Sequence, residues 1–185
     1  MESMTRRHLT KALQNFAINA PHYIKIKLVN DSLTDIRVLF TVFEGCLFEK
    51  GYFELEFKAS NNYPLSPPRL VMLTPIYHPN ILYNGKICID ILDKEEWTPA
   101  LTLFPLLISI HSILQEPDFS NPCNIEFEND WKENESNCRK QIFQTLAILN
   151  LKMIGKKMKV IAEKNPMRLA NFVPIQYLLD GKVSL

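Results

Sequence analysis

HYIKIKLVNDSLTDIRVLFTVFEGCLFEKGYFELEFK, residues 22–58, carries three extended segments with no helix between them. In the first, Ile24, Ile26 and Leu28 alternate with Lys25 and Lys27, the period of a strand with one buried face. Asn30, Asp31 and Ser32 then supply turn residues. Residues 36–43 are apolar on both faces apart from Arg37 and Thr41, which predicts a central strand. After Glu44 and Gly45, and again after Lys50 and Gly51, the chain turns. Residues 52–58 then alternate, Phe53, Leu55 and Phe57 inward against Glu54, Glu56 and Lys58. Short turns and no crossover helix predict an antiparallel meander.

On the N-terminal side, residues 5–16 place Leu9, Leu13 and Phe16 on one helical face and Arg6, Arg7 and Lys11 on the other. Pro21 ends that helix. On the C-terminal side, YPLSPPRLVML brings Pro64, Pro67 and Pro68, which cannot donate ladder hydrogen bonds. They predict a rigid loop and a short edge strand at residues 70–73. Pro75, Pro79 and Pro99 exclude regular helix from most of residues 75–102. Thr102 is the expected cap of a nearly all-apolar helix over 103–114, with Pro105 in its first turn. A second proline-containing loop spans 116–122. Asn124 is expected to cap a short helix through Trp131, and a longer charged helix is expected from about Asn137 towards Lys164, interrupted near Gly155. The fold class is α+β: an N-terminal helix, a four-stranded antiparallel sheet, a loop-rich centre and C-terminal helices. Residues 4–150 are expected to form one catalytic-type domain and 151–185 a C-terminal helical extension or tail.

A net charge of +1, from 21 basic and 20 acidic residues, makes no electrostatic case for nucleic acid. The expectation is no nucleic acid, no membrane span and no signal segment, since MESMTRRHLTKAL lacks an apolar core. Cys46, Cys88, Cys123 and Cys138 show no metal-ligand spacing, so no metal is expected. They are read as free thiols of a reduced protein, cytoplasmic or nuclear.

The chemistry concentrates in YHPNILYNGKICIDILDKEEWTPALTL, residues 77–103, where a His-Pro-Asn turn stands eight residues ahead of Cys88. The order Tyr63-Pro64-x-x-Pro67-Pro68, Tyr77-His-Pro-Asn-Ile81, Gly85-x-Ile-Cys-x-Asp-Ile-Leu92 and Trp97-Thr-Pro-Ala-Leu-Thr102 resembles the ubiquitin-conjugating enzyme family. The similarity covers roughly residues 5–149. It implies that Cys88 takes the activated C-terminus of ubiquitin or a ubiquitin-like modifier as a thioester and passes it to a substrate lysine or a ligase. A thiol suits this because a thioester retains acyl-transfer potential.

The resemblance also assigns the neighbours. Asn80 stands where the family has an asparagine proposed to stabilise the oxyanion; tying down the loop that bears Cys88 is the equal alternative. His78 is expected to be structural, its ring bonded to backbone. Asn121 aligns with a gate position that is usually acidic or serine. An amide can orient an incoming ammonium but cannot neutralise it. Asp90, and Asp118 in the gate loop, are candidates to compensate. Cys46, Cys123 and Cys138 are read as ordinary core or surface thiols.

The expected partners are the modifier, its activating enzyme, a ligase of RING or similar type, and a protein substrate. Leu65, Pro99 and Ala100 resemble the ligase-docking loops, and Arg6 and Arg7 the contact points of activating enzyme and ligase. No bound cofactor is expected, ATP being used upstream. On the modifier, three strings look more like the neddylation branch: Phe57-Lys58 before the Tyr-Pro motif, the Glu44-Gly45 turn, and Pro122-x-Asn124-x-Glu126. Asp90 and the short lead into the first helix oppose that. Neddylation is slightly favoured, a ubiquitin carrier is the alternative, and a weakly active ubiquitin-binding subunit is the reading of another class. Residues 153–160, with Lys156, Lys157 and Lys159 set against Met153, Met158 and Val160, form either a basic amphipathic surface or, more simply, a solvated helix face.

Overall fold

The computed structural model describes residues 4–164, with side chains to Lys152. Helix α1 (Met4–Asn19) leads into strands β1 (Ile24–Val29), β2 (Ser32–Thr41), β3 (Tyr52–Lys58) and β4 (Arg69–Met72). A single 3-10 turn, Asp90–Leu92, precedes α2 (Leu103–Gln115) and α3 (Ile125–Lys164). The sheet is a fully antiparallel meander in the order β1-β2-β3-β4. This is the α+β architecture that the alternating segments predict.

The first hairpin is tighter than expected. Asn30 and Asp31 both take positive φ, 51° and 56°, so the turn is made by two residues. Pairing therefore resumes at Val29↔Ser32, and β2 begins four residues earlier than the apolar run suggests. It also ends earlier. The Phe43 N–H leaves the sheet and donates to Gln115 Oε1 at the end of α2 (3.1 Å).

Ile24, Ile36, Val38, Phe40, Phe53, Leu55 and Phe57 point into one core with Leu9, Ala12 and Phe16 of α1. Leu103, Leu106, Leu107, Ile110 and Leu114 of α2 join it, and Thr102 occupies the cap position without a side-chain bond. Burying aliphatic and aromatic side chains in this way contributes about 1.5–3 kcal/mol each. His111 of α2 reaches the sheet directly, its Nε2 3.0 Å from the Thr41 carbonyl.

One correction concerns α3. Asn124 does cap its start, with Oδ1 accepting from the Phe127 N–H (3.3 Å). The expected division between a helix ending near Trp131 and one starting near Asn137 is there, as a kink at Asn134 (φ −155°, ψ 84°), but the further interruption expected near Gly155 is not, and the helix continues. Asn134 caps the second part of the helix by accepting from the Asn137 N–H (3.0 Å). A side chain able to bond its own downstream amide competes with the helix ladder, whereas the glycine costs only about 1 kcal/mol and leaves the helix intact. Compact units divide between Leu146 and Ala147. The first holds the sheet, α1, α2 and the start of α3. The amphipathic reading of residues 153–160 and the aperiodic last twenty residues lie outside the described side chains.

On the outer face of the sheet, Glu56 is only 8% exposed, covered by the long side chains paired with it. Arg37 Nη2 (2.9 Å), Lys58 Nζ (3.1 Å) and Arg69 Nη1 (3.6 Å) all meet its carboxylate. Desolvation pushes its pKa up, but the Lys58 hydrogen bond and the three positive charges outweigh it and hold the carboxyl below its ordinary value. A depressed carboxyl stabilises the fold above the ordinary glutamate pKa, and the contribution is lost as pH falls through the folded value. Glu56→Gln should therefore cost about 1 kcal/mol at pH 7. Urea midpoints should show the gap between variant and parent closing below about pH 4.

Candidate active site

Residues 77–81 form the turn on which the site is built. His78 is fully buried, stacked on Phe48 with centroids 4.8 Å apart. Its Nδ1 accepts from the Asn80 N–H (2.9 Å), so the proton sits on Nε2, which donates to the Ile113 carbonyl of α2 (3.0 Å). Burial lowers its pKa to about 3, only partly opposed by the Ile113 bond. The ring is a neutral bracket between the turn and α2.

From this turn two cysteines are hung. The Cys88 N–H donates to the Asn80 carbonyl (2.9 Å), and the Cys123 N–H to the adjoining Pro79 carbonyl (3.0 Å), which Asn124 N–H also uses (2.9 Å). Cys88 approaches through Gly85, whose φ of 80° and close approach to the Met72 carbonyl require glycine. A Cβ there would lie 2.2 Å from that oxygen. The Gly85 carbonyl in turn accepts from Met72 N–H (2.8 Å), joining the cysteine segment to β4.

The Asn80 side chain faces the 116–123 loop. Its Oδ1 accepts from Asp118 N–H (2.9 Å), and its Nδ2 donates to the Asp118 carbonyl (2.9 Å) and at longer range to Asn121 O (3.5 Å). Asn124, buried at the loop's end, donates to His78 O (3.2 Å) and Ile81 O (3.5 Å). Phe119 packs at a tilt against Trp131, ring centroids 4.8 Å apart. Asn80, Cys88, Asp90, Asp118 and Asn121 thus line one open cleft of about 240 Å³, floored by Ile89, Ile91 and Ile113. Asp118 is exposed. Hydrogen bonds from the Ser120 hydroxyl (2.6 Å) and amide (2.8 Å) hold its carboxyl below the ordinary range.

One expectation is overturned here. Cys88 and Cys123 are not free thiols: they are joined by a disulfide, with Cα atoms 6.4 Å apart. Cys46 and Cys138 are free, their pKa values raised chiefly by burial. Reading Cys123 as an ordinary thiol missed it because 35 residues separate the pair. The resemblance that gave Asn121 the gate position was the available signal, since Cys123 lies two residues further on. Asn124 was found as a cap, but its grip on the turn was not.

The other predicted residues lie away from the cleft. Leu65 is exposed at the tip of the proline loop, and Pro99 and Ala100 are exposed in the second loop. The Trp97 indole joins the two, its Nε1–H donating to Pro64 O (2.7 Å). Thr5 Oγ1 ties α1 to the same loop by donating to Tyr63 O (2.7 Å). Arg6 and Arg7 are exposed on α1.

The sequence profile described as "Ubiquitin-conjugating enzyme" matches residues 8–146. The ubiquitin-conjugating enzyme E2 T of Mus musculus is 36% identical over 130 residues, 69% of this chain and 64% of its own. Ubiquitin-conjugating enzyme E2 15 of Schizosaccharomyces pombe is 32% identical over 76% of this chain and 92% of its own. Among solved structures, the E2 domain of a Toxoplasma gondii ubiquitin-conjugating enzyme superposes with a TM-score of 0.69. It is 29% identical, covering 77% of this chain and 96% of that one.

The buried imidazole makes stability depend on pH. Between the ordinary histidine value and about 3, the unfolded chain binds a proton that His78 refuses. Stability should thus fall on acidification from about pH 6.5, by up to about 1.4 kcal/mol per pH unit. His111, also lowered by burial, adds in the same direction. Denaturant titrations of the reduced protein between pH 7 and pH 5 should show this slope, and in His78→Asn it should shrink to the His111 share while stability at pH 7 drops by about 2 kcal/mol.

Proposed function

The chain belongs to the ubiquitin-conjugating enzyme family, and we propose on that footing that its reduced Cys88 carries ubiquitin as a thioester and delivers it to a substrate lysine or a ligase cysteine. The observation that supports this best is the placement of Cys88 beside Asn80 in an open cleft, with the 116–123 loop forming the opposite wall. A protein C-terminus and an attacking amine can enter such a cleft from solvent. The Cys88 thiolate attacks the carbonyl of the incoming thioester, and the activating enzyme's sulfur leaves. No histidine is available as a dedicated base, since the imidazole of the His-Pro-Asn turn is neutral and committed at both nitrogens. The acyl group arrives already activated, ATP having been consumed upstream, so the chain supplies the thiol, the orientation and the polar groups around the carbonyl.

Asn80 serves both as oxyanion donor and as tie to the facing loop. One N–H and the carbonyl oxygen of its side chain hold Asp118, which shapes the wall. The second N–H makes only the 3.5 Å contact to Asn121 O and is the donor free to turn to an oxyanion. A preorganised donor of this kind contributes about 3–4 kcal/mol in other enzymes. Asn121 orients an incoming lysine without neutralising it. The Asp118 carboxylate, kept ionised by Ser120, and Asp90 across the cleft are the remaining negative groups.

Ubiquitin is the modifier this reading favours over the neddylation modifier. The similar proteins are ubiquitin-conjugating enzymes by name, and Asp90 keeps the residue typical of ubiquitin carriers. Asn124, one of the features that pointed to neddylation, has a local reason to be asparagine: it caps α3 and clamps the turn. Leu65, Pro99 and Ala100, fixed together through Trp97, form the ligase-docking patch. Anchoring on a preordered loop loses little entropy. Arg6 and Arg7 extend it for activating enzyme and ligase. The pathway sets the protein in cytoplasm or nucleus. The reading of a weakly active ubiquitin-binding subunit draws on the amide at position 121 and on the disulfide that occupies Cys88.

The test begins with protein reduced and then freed of reductant. Incubation with activating enzyme, ATP and either ubiquitin or the neddylation modifier should yield a thiol-labile adduct with ubiquitin, absent in Cys88→Ala. A thioester with the neddylation modifier alone would reassign the modifier, and no adduct with either would leave the binding-subunit reading. In single-turnover discharge, Asn121→Asp should accelerate transfer to free lysine by about three- to tenfold, with transfer to a ligase cysteine changed less than twofold or so.

A further inference from the structure

The bond between Cys88 and Cys123 joins the residue assigned as nucleophile to a loop cysteine with no assigned role. The backbone explains why they meet. Pro79 O and Asn80 O are consecutive carbonyls of one turn, and each accepts from the N–H of one of the two cysteines. Those bonds do not depend on the sulfurs. They set the Cα atoms 6.4 Å apart, inside the range a disulfide spans without backbone movement. The loop carrying Cys123 is held from three further directions: by the Asn80 side chain at Asp118, by Asn124 at His78 and Ile81, and by Phe119 on Trp131. Reduced, the two thiols remain facing each other. Both are half-buried and open to a small oxidant, as is Cys46, whereas Cys138 is buried; what sets the pair apart is that each has a thiol partner within reach.

We infer that Cys123 is a resolving cysteine: oxidation by a hydroperoxide links it to Cys88, closing the site to acyl transfer, and a dithiol reductant reopens it. The inference rests on Cys88 being the acyl carrier. The Cys88 thiolate attacks one peroxide oxygen; the O–O bond breaks, a sulfenic acid forms, and the departing hydroxide takes a proton to become water. The Cys123 thiolate then attacks the Cys88 sulfur, the S–O bond breaks, and a second hydroxide leaves as water. In sum, two thiols and one peroxide give one disulfide and two waters, with two electrons passing from sulfur to oxygen. Reopening is two thiol–disulfide exchanges, in which the dithiol becomes a disulfide and both protein thiols are regenerated.

Three features give this pairing a use. A disulfide uses the same sulfur as the thioester, so an enzyme charged with ubiquitin is protected and an idle one is not. A partner thiol in contact traps the sulfenic acid before a second peroxide carries it to the irreversible sulfinic state. Disulfides of reducing compartments are typically of this transient, sensing kind.

The experiment uses the full chain, reduced, freed of thiol, and treated with hydrogen peroxide. Peptide mapping under non-reducing conditions should find the 88–123 linkage, with Cys46 and Cys138 still alkylatable. Charging with ubiquitin should fall by about tenfold or more and return after dithiothreitol. In Cys123→Ser, each activity being normalised to the same protein's reduced value, less than about half should return, with sulfinic acid on Cys88. Wild type already loaded as a thioester should resist. Peroxide treatment that leaves Cys88 unlinked, or links it to glutathione or another cysteine in preference, overturns the inference whatever the charging activity. So does equal recovery in Cys123→Ser. If the linkage forms but the reduced protein charges with no modifier, the switch has no acyl transfer to control; the regulatory claim falls together with the carrier reading, and the mapped bond identifies which premise failed.

Discussion

The site depends on one buried hydrogen-bonded turn. His78, at the floor of residues 77–81, satisfies both ring nitrogens, one inside the turn and one on α2. Because the ring is neutral and sealed from water, each of those bonds is costly to break: a buried polar group left unpaired loses about 1–3 kcal/mol. Pro79 limits the backbone on either side. With the turn immobile, its consecutive carbonyls become fixed acceptors, and the two cysteines take their positions from them. The Asn80 side chain and Asn124 then carry the same rigidity into the opposite wall of the cleft.

The sheet and α2 form the base to which that turn is attached. The meander offers its inner face to a helix apolar nearly all round, and His111 and Gln115 add polar bonds between α2 and the end of β2. The two proline loops are organised in a parallel way. One indole N–H to the Pro64 carbonyl holds two exposed proline loops at a set spacing while the reactive cleft is built elsewhere. Leu65 and Ala100 are thus held apart from the groups around Cys88.

How much of this could be read in advance differs by element. The strands were legible because alternation records burial on one face, and the apolar helix because its composition leaves it nowhere to go but the core. Strand limits were less so: the two positive-φ residues at 30 and 31 lengthened β2 beyond its apolar run. The kink at Asn134 falls in the gap expected between the two C-terminal helices, whereas the further break assigned to Gly155 did not form, since one glycine costs a helix only about 1 kcal/mol. Cys88, Asn80 and Asn121 were legible through the resemblance of their motifs. The disulfide was not, and with it fell the expectation of free thiols for Cys88 and Cys123, though Cys46 and Cys138 are free.

Residue order alone determined the α+β class, the meander, the buried helix and the identity of the chemically distinctive turn. These come from periodicity and from motif, both of which are local. Only the tertiary structure decided that Cys123 lies against Cys88, that Asn80 uses most of its side chain to hold the facing loop, and that Asn124 grips the turn while capping a helix. Each of these joins segments about 35–45 residues apart, and chain spacing carries no record of a contact closed over such a loop. The fold brings them together because one turn presents adjacent backbone carbonyls to both segments at once.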